Sequence, residues 1–305
     1  MRRGEIIRSV AGGLALLTGA SASARAAGYS EFLEAVEFRG FRAEASYTTD
    51  SNVNRAPAGD ALRDRILGVR VSAGGVIPLS ARTRAAVQGF AGIQKFGTYT
   101  GLSNNFIGAQ GDFFFRSSGE FAAATYGAFA RTAKEEYEST LRDGYRHAFG
   151  LTVQKPVTDR IQLSGALTRN ISDGKSTVFD ARNTSLRGNA DWSLGRWDTV
   201  YLGADYRRGD AVSTAPLTPG RADIADAVTV GPDDAYNNPA LFAYRFKASI
   251  WITTLGYNHA FSGGHSLDFS WRWAHLTPLE LRGLATASES SYTANQFSAA
   301  YLARF

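Results

Sequence analysis

Apolar and polar residues alternate almost without rest from Phe41 to the end of the chain. Phe41, Ala43, Ala45 and Tyr47 face one way, with Arg42, Glu44, Ser46 and Thr48 on the other. A period of two is the signature of a strand with one apolar face. The pattern returns at Leu67, Val69 and Val71 against Arg70 and Ser72, and at Val87, Ala91 and Ile93 against Arg84 and Gln88. Ile107, Ala109, Phe113 and Phe115 then oppose Gln110, Asp112 and Arg116. Phe149, Leu151 and Val153 oppose Arg146 and Thr152, Leu186 and Trp192 oppose Arg187 and Asp191, and Leu202 and Tyr206 oppose Asp205 and Arg207. Residues 120–131 are apolar on both faces, which leaves their phase open. In 244–261, Phe246, Ala248, Ile250 and Ile252 oppose Arg245, Lys247 and Ser249; the apolar set then changes parity near Thr253 and Thr254, which predicts a β-bulge. Trp271 and Trp273 against Arg272, and a last strand ending at Arg304 and Phe305, close the series at about twelve strands.

The connections between these segments alternate in length. Long ones fall at 50–63, 96–105, 132–143, 171–183, 208–242 and 276–291, and short ones at 77–82, 117–119, 156–159, 195–197 and 262–264. A soluble sandwich has no reason to gather every long connection at one end. A membrane barrel does, with short turns on one side and long loops on the other, and an even strand count returns both termini to the same side. The expected fold is all-β: a single transmembrane antiparallel up-and-down barrel over 41–305.

The last nine residues read FSAAYLARF, so Phe297, Tyr301 and Phe305 share one apolar face that ends on an aromatic carboxy terminus. In this the chain resembles bacterial outer-membrane β-barrel proteins of the porin-like kind. The resemblance implies a place in the bacterial outer membrane, among its lipid and lipopolysaccharide, and recognition of Phe297, Tyr301 and Phe305 by the barrel-insertion machinery. Residues 50–57 (DSNVNRAP) resemble the start of the barrel in surface-lipoprotein assembly modifiers, over that stretch alone. In those proteins a helical-repeat domain precedes the barrel.

The amino-terminal residues predict export. Arg2, Arg3 and Arg8 precede the apolar run 10–17, followed by small residues and Ala24-Arg25-Ala26, the layout of a signal peptide over 1–26. Residues 27–40 form a short periplasmic lead-in. Composition fits a barrel that hides its hydrophobicity on alternate residues: mean hydropathy is -0.20, hydrophobic residues make up 44%, and there are 19 Phe, 13 Tyr and 32 Gly. There is no cysteine, which excludes disulfides, thiolate metal sites and cysteine nucleophiles. The signal peptide holds Arg2, Arg3, Arg8 and Arg25 against Glu5, so removing its three net positive charges takes the formal +5 to +2. With no basic run, nothing points to nucleic acid.

Residues 50–54 space oxygen ligands like the opening of a calcium loop. Arg55 stands where such a loop needs Gly and Ala61 where it needs Glu, so the expectation is an Asx-rich turn and no metal. No cofactor is expected. Some outer-membrane deacylases use a Ser two residues after a His, but none of His147, His259, His265 and His275 has one. Asp223, Asp226, Asp233 and Asp234 cluster in the longest loop, where a solvated acidic loop is expected and no catalytic pair forms. The polar faces carry the strongest signal. Arg42, Arg70, Arg84, Arg116, Arg146, Arg187, Arg207, Arg245 and Arg272 are expected to line the lumen, outnumbering the carboxylates there. That surplus points first to a narrow porin-like channel with a basic, anion-favouring lumen and small anionic solutes as candidate cargo, not to an enzyme. The alternative is a helper barrel for export or assembly of a surface polymer or lipoprotein; the third is an outer-membrane enzyme.

Overall fold

The computed structural model describes residues 40–119, 123–224, 230–262 and 264–305; the expected signal peptide and all of the lead-in before Gly40 lie outside them. The alternating segments become β1 (Gly40–Asp50), β2 (Asp64–Pro78), β3 (Thr83–Phe96), β4 (Asn104–Arg116), β5 (Thr125–Tyr137), β6 (Gly144–Pro156) and β7 (Ile161–Gly174). They continue as β8 (Ala181–Ser193), β9 (Asp198–Pro216), β10 (Val230–Pro232), β11 (Leu241–Ala260), β12 (His265–Pro278) and β13 (Tyr292–Arg304). Neighbours pair antiparallel around the ring; β13 pairs with β1 and β9 pairs with β11, which closes a twelve-stranded barrel. The short β10 is the one addition, lying against residues 242–244 of β11 beyond the end of β12. Closure matters physically, because no strand edge is left with unpaired amide groups in hydrocarbon.

The alternation sorts as expected over most of the wall. Leu67, Val69, Ile107, Leu151, Leu167, Leu186, Leu202 and Leu255 stand exposed on the outside, while Gln88, Gln110, Asp112, Asp205 and Arg207 are buried inside. Such an exterior, on a closed barrel, is built to face lipid. Aromatics frame it at two levels. Phe41, Phe113, Phe115, Trp192, Trp197, Phe261 and Phe305 ring the end where β1 starts and β13 finishes, and Tyr47, Tyr145, Tyr206 and Trp251 mark the other. From Trp251 to Phe261 is about ten residues, the length of one tilted transmembrane strand. The longest connections, 51–63, 217–240 and 279–291, lie at the second end, which is the extracellular side of such barrels. The expected short turn at 117–119 widens to 117–124, longer than 97–103, 138–143 or 175–180 at the extracellular end.

Three expectations change. No bulge occurs near Thr253: β11 keeps one register with β9 from Leu241↔Pro216 to His259↔Asp198, and one with β12 from Ala248↔Pro278 to Ala260↔Ser266. With no phase shift, Phe246, Ala248, Ile250 and Ile252 face inward and Arg245 and Lys247 face outward, so Arg245 does not line the lumen. The apolar residues are inward there because the upper lumen is filled with protein. Ala56, from the first long loop, packs with Tyr244, Phe246, Ile250, Leu276 and Tyr292 into one buried cluster. The longest connection also shrinks. β9 and β11 run on past the rim, leaving 217–240 where 208–242 was expected. Of the undecided segment 120–131, residues 125–131 fall in β5, with Phe129 and Arg131 on the inward phase.

Candidate functional site: the lumen and its extracellular closure

Residues 50–57 build the closure. Asp50 ends β1 and accepts from the backbone amide of Asn52 at 2.8 Å, an Asx turn as expected. Arg55 takes the left-handed backbone (φ 55) that a glycine would have supplied at that point. The oxygens that resembled a calcium loop accept from the protein's own backbone, Asn52 Oδ1 from the Ala56 amide at 3.0 Å and Asn54 Oδ1 from the Leu62 amide at 2.8 Å. Asn52 Nδ2 donates to the Ala56 and Thr293 carbonyls at 2.7 and 3.0 Å, and Asn54 Nδ2 to the Thr214 and Asp60 carbonyls at 2.8 and 2.9 Å. Arg55 donates to both Asp50 oxygens at 3.1 and 2.7 Å, and Gln296 of β13 donates to the same carboxylate at 2.6 Å. The loop therefore crosses from β1 to β9 over the arc of β11 to β13.

A second element locks onto the first. Tyr236, in the 217–240 loop, donates to the Val53 carbonyl at 3.2 Å. Asp233 accepts from Thr214 at 2.7 Å and forms an ion pair with Arg142, while Asp234 bonds Ser139. Arg221 pairs with Asp60 at 2.5 Å. The expectation of a solvated acidic loop is thus overturned for Asp233, which is buried and serves as a latch, because Arg142 and Thr214 supply the partners water would have given. Asp226 lies outside the described residues. Burial alone would lower the Arg55 and Arg142 guanidiniums, but Asp50 and Asp233 outweigh it and hold both above the usual arginine range. Burial pushes the Tyr236 hydroxyl well above its ordinary value.

Beneath the closure lies a cavity of about 70 Å³, lined among others by Arg55, Tyr137, Arg142, Arg146, Arg207 and Tyr236. That volume has room for several ordered waters. Arg146 is tied to Glu135 at 2.7 Å. The midsection below has two unlike walls. On β8, β9 and β12, Arg187 and Arg207 both bond Asp205, at 3.1 and 2.8 Å, and Arg272 sits in electrostatic reach of all three. Arg272 itself has no hydrogen bond or ion pair among the described residues, and Asp205 is the carboxylate among its electrostatic neighbours. Closer to the periplasmic end of this wall, Tyr201 donates to Asp268 at 2.9 Å.

The facing wall, on β2 to β5, is aromatic. Phe90, Phe106, Phe114 and Phe129 point inward and are buried. Arg70 and Arg131 lie over the Phe90 ring at 4.8 and 4.5 Å, and Arg84 over Phe114 at 5.1 Å. Gly92 and Gly108 make room for these rings, since a Cβ on either would collide with Phe106 or Phe90. These phenylalanines were missed because charge was tallied on the polar face and aromatics were assigned to the lipid face. Their parity carried the signal: Phe90 shares it with Gln88, and Phe106 and Phe114 share it with Gln110.

Of the other expected positions, Arg42 pairs with Glu44 at 3.3 Å near the periplasmic mouth, and Arg116 ends β4 on the inward phase. Phe297, Tyr301 and Phe305 stand exposed on the outer wall, the Phe305 ring 6.0 Å from Phe41, with two backbone hydrogen bonds joining those residues. All four histidines are on the outward phase of their strands: His147 beside Thr132, His259 beside Asp198, His265 beside Tyr301 and His275 beside Thr277.

No protein-family model matches the chain, and no curated protein matches it. Among solved structures it is similar to the COG4313 outer membrane channel from Pseudomonas putida F1, at 10% identity and a TM-score of 0.54, over 88% of this chain and 96% of that one. The KdgM porin in complex with disordered oligogalacturonate is similar at 8% identity and a TM-score of 0.43, over 87% of this chain and 99% of that one. LpxR from Salmonella typhimurium is similar at 8% identity and a TM-score of 0.38, over 85% of this chain and 99% of that one. The first of these likenesses establishes the fold as that of bacterial outer-membrane β-barrels. The apolar exterior agrees with residence in that membrane.

Proposed function

We propose that this outer-membrane barrel is a narrow porin-like channel whose basic lumen favours anions. The observation that carries the reading is the gathering of Arg187, Arg207 and Arg272 around Asp205 in the midsection. Clustered fixed charge of one sign, inside a low-dielectric wall, focuses its field into the lumen and draws ions of the opposite sign. Arg70 and Arg84 contribute charge as well, though rings hold them against the wall. The closure at the extracellular end predicts a small unit conductance. Reconstitution in planar bilayers under a salt gradient tests the reading. The reversal potential is expected on the anion side, and Arg187→Gln combined with Arg272→Gln should move it toward cations. A reversal potential that ignores the double change would refute it.

Well-folded protein that never conducts would favour the second reading, a helper barrel for export or assembly of a surface polymer or lipoprotein. The closure that residues 50–57 build is the observation on its side. On either reading the outward aromatics of β13 serve assembly. Phe305→Asp is expected to remove heat-modifiable barrel from the outer-membrane fraction, and its normal appearance there would exclude that role.

A further inference from the structure

The outer wall carries a second arginine cluster, at the extracellular edge of the lipid belt. The row of paired positions Arg169↔Thr184↔Arg208↔Ser249 runs across β7, β8, β9 and β11. Arg182 and Lys247 stand one step above it, toward the loops. Directly below lies the apolar row Leu167, Leu186, Tyr206 and Trp251, whose last two rings are 4.8 Å apart. Cations one residue outside an aromatic girdle sit at the depth of lipid head groups.

The partners of these cations set them apart from Lys95 and Lys134 on the same rim. Lys95 is paired with Glu138 at 2.8 Å and Lys134 with Glu136 at 2.6 Å, so those sites are locally neutral. In the cluster, Lys247 takes Asp210 at 2.5 Å and Arg169 donates to the Thr184 hydroxyl at 3.0 Å. The exposed side chains of Arg182 and Arg208 have no partner among the described residues. Strand spacing of about 4.8 Å puts Arg169 and Arg208 roughly 10 Å apart at the backbone, near enough for two long side chains to converge on one group between them. Guanidinium is also the cation best matched to a phosphate, since its planar fork donates two parallel hydrogen bonds.

We propose that this patch binds the phosphate of an outer-leaflet glycolipid, with the acyl chains lying down the wall over Leu186, Leu202 and Trp251. The inference rests on the outer-membrane fold and not on the pore reading, so either can fail alone. Charge complementarity selects the head group, and the apolar row below it selects a lipid over a soluble phosphate.

Native mass spectrometry of the detergent-purified protein tests this with two probes: the phosphorylated acyl-disaccharide anchor of lipopolysaccharide and its enzymatically dephosphorylated form. One phosphorylated molecule is expected to remain bound, with the dephosphorylated form retained at least about tenfold less. Arg182→Gln with Arg208→Gln should abolish that preference, while Lys95→Gln with Lys134→Gln leaves it intact. Equal retention of the two lipids by the unaltered protein would overturn the proposal, whether or not the variants assemble. So would a preference that survives in the folded cluster variant.

Discussion

The two halves of β11 make opposite use of one register. In the upper half Phe246, Ala248, Ile250 and Ile252 point into the barrel and Lys247 points out; in the lower half Thr254 and Asn258 point in and Leu255 and Tyr257 point out. Nothing in the backbone changes between them, because both ladders run through without a break. What changes is the surroundings. Above Trp251 the interior is loop and the exterior is head group and water; below it this strand faces the polar side chains of the barrel interior and the exterior is hydrocarbon. A strand that crosses this boundary must invert its polarity, and in the sequence the inversion looks the same as a bulge.

The strongest way to break this comparison is to remove the closure that makes the upper interior apolar. Arg55→Ala leaves the fully buried Asp50 carboxylate without its cation. The expected loss is about 3–5 kcal/mol in urea unfolding from lipid vesicles. A much smaller loss would mean that the loop is not part of the cooperative unit.

Next in size is the lipid face. Leu255→Arg places a charge near the bilayer midplane and should destabilise by about 2–4 kcal/mol. Lys247→Leu, on the same outward phase above the girdle, should change stability by no more than about 1 kcal/mol. If the two substitutions prove equal in the same unfolding assay, the boundary at Trp251 is misplaced.

The smallest effect belongs to the second latch. Tyr236→Phe removes the hydrogen bond to Val53 and is expected to weaken the closure by about 1 kcal/mol. It should also carry a pH signature. The folded state holds the Tyr236 proton more tightly than the unfolded state, so this group's contribution is complete below the ordinary tyrosine value of about 10 and is lost as pH rises above it. Unfolding measured from pH 8 to 11 should therefore fall less steeply in the phenylalanine variant.

The sequence by itself determined the barrel, because a closed sheet between lipid and a polar interior imposes a period of two that each strand states locally. The strand count was legible for the same reason, as was the inward phase of Arg187, Arg207 and Arg272. Only the tertiary structure decided what fills the interior. Asp50, Asn52 and Arg55 read alike as an exposed turn or as a plug, since their partners Gln296, Thr293 and one another meet only when the ring closes. The same holds for Asp233, whose latch to Arg142 joins residues far apart in the chain. It holds for Arg245, too, whose outward placement depends on loops filling the lumen beside β11. Alternation records which face a side chain takes, but the polarity expected of that face is set by whatever long-range packing brings to it.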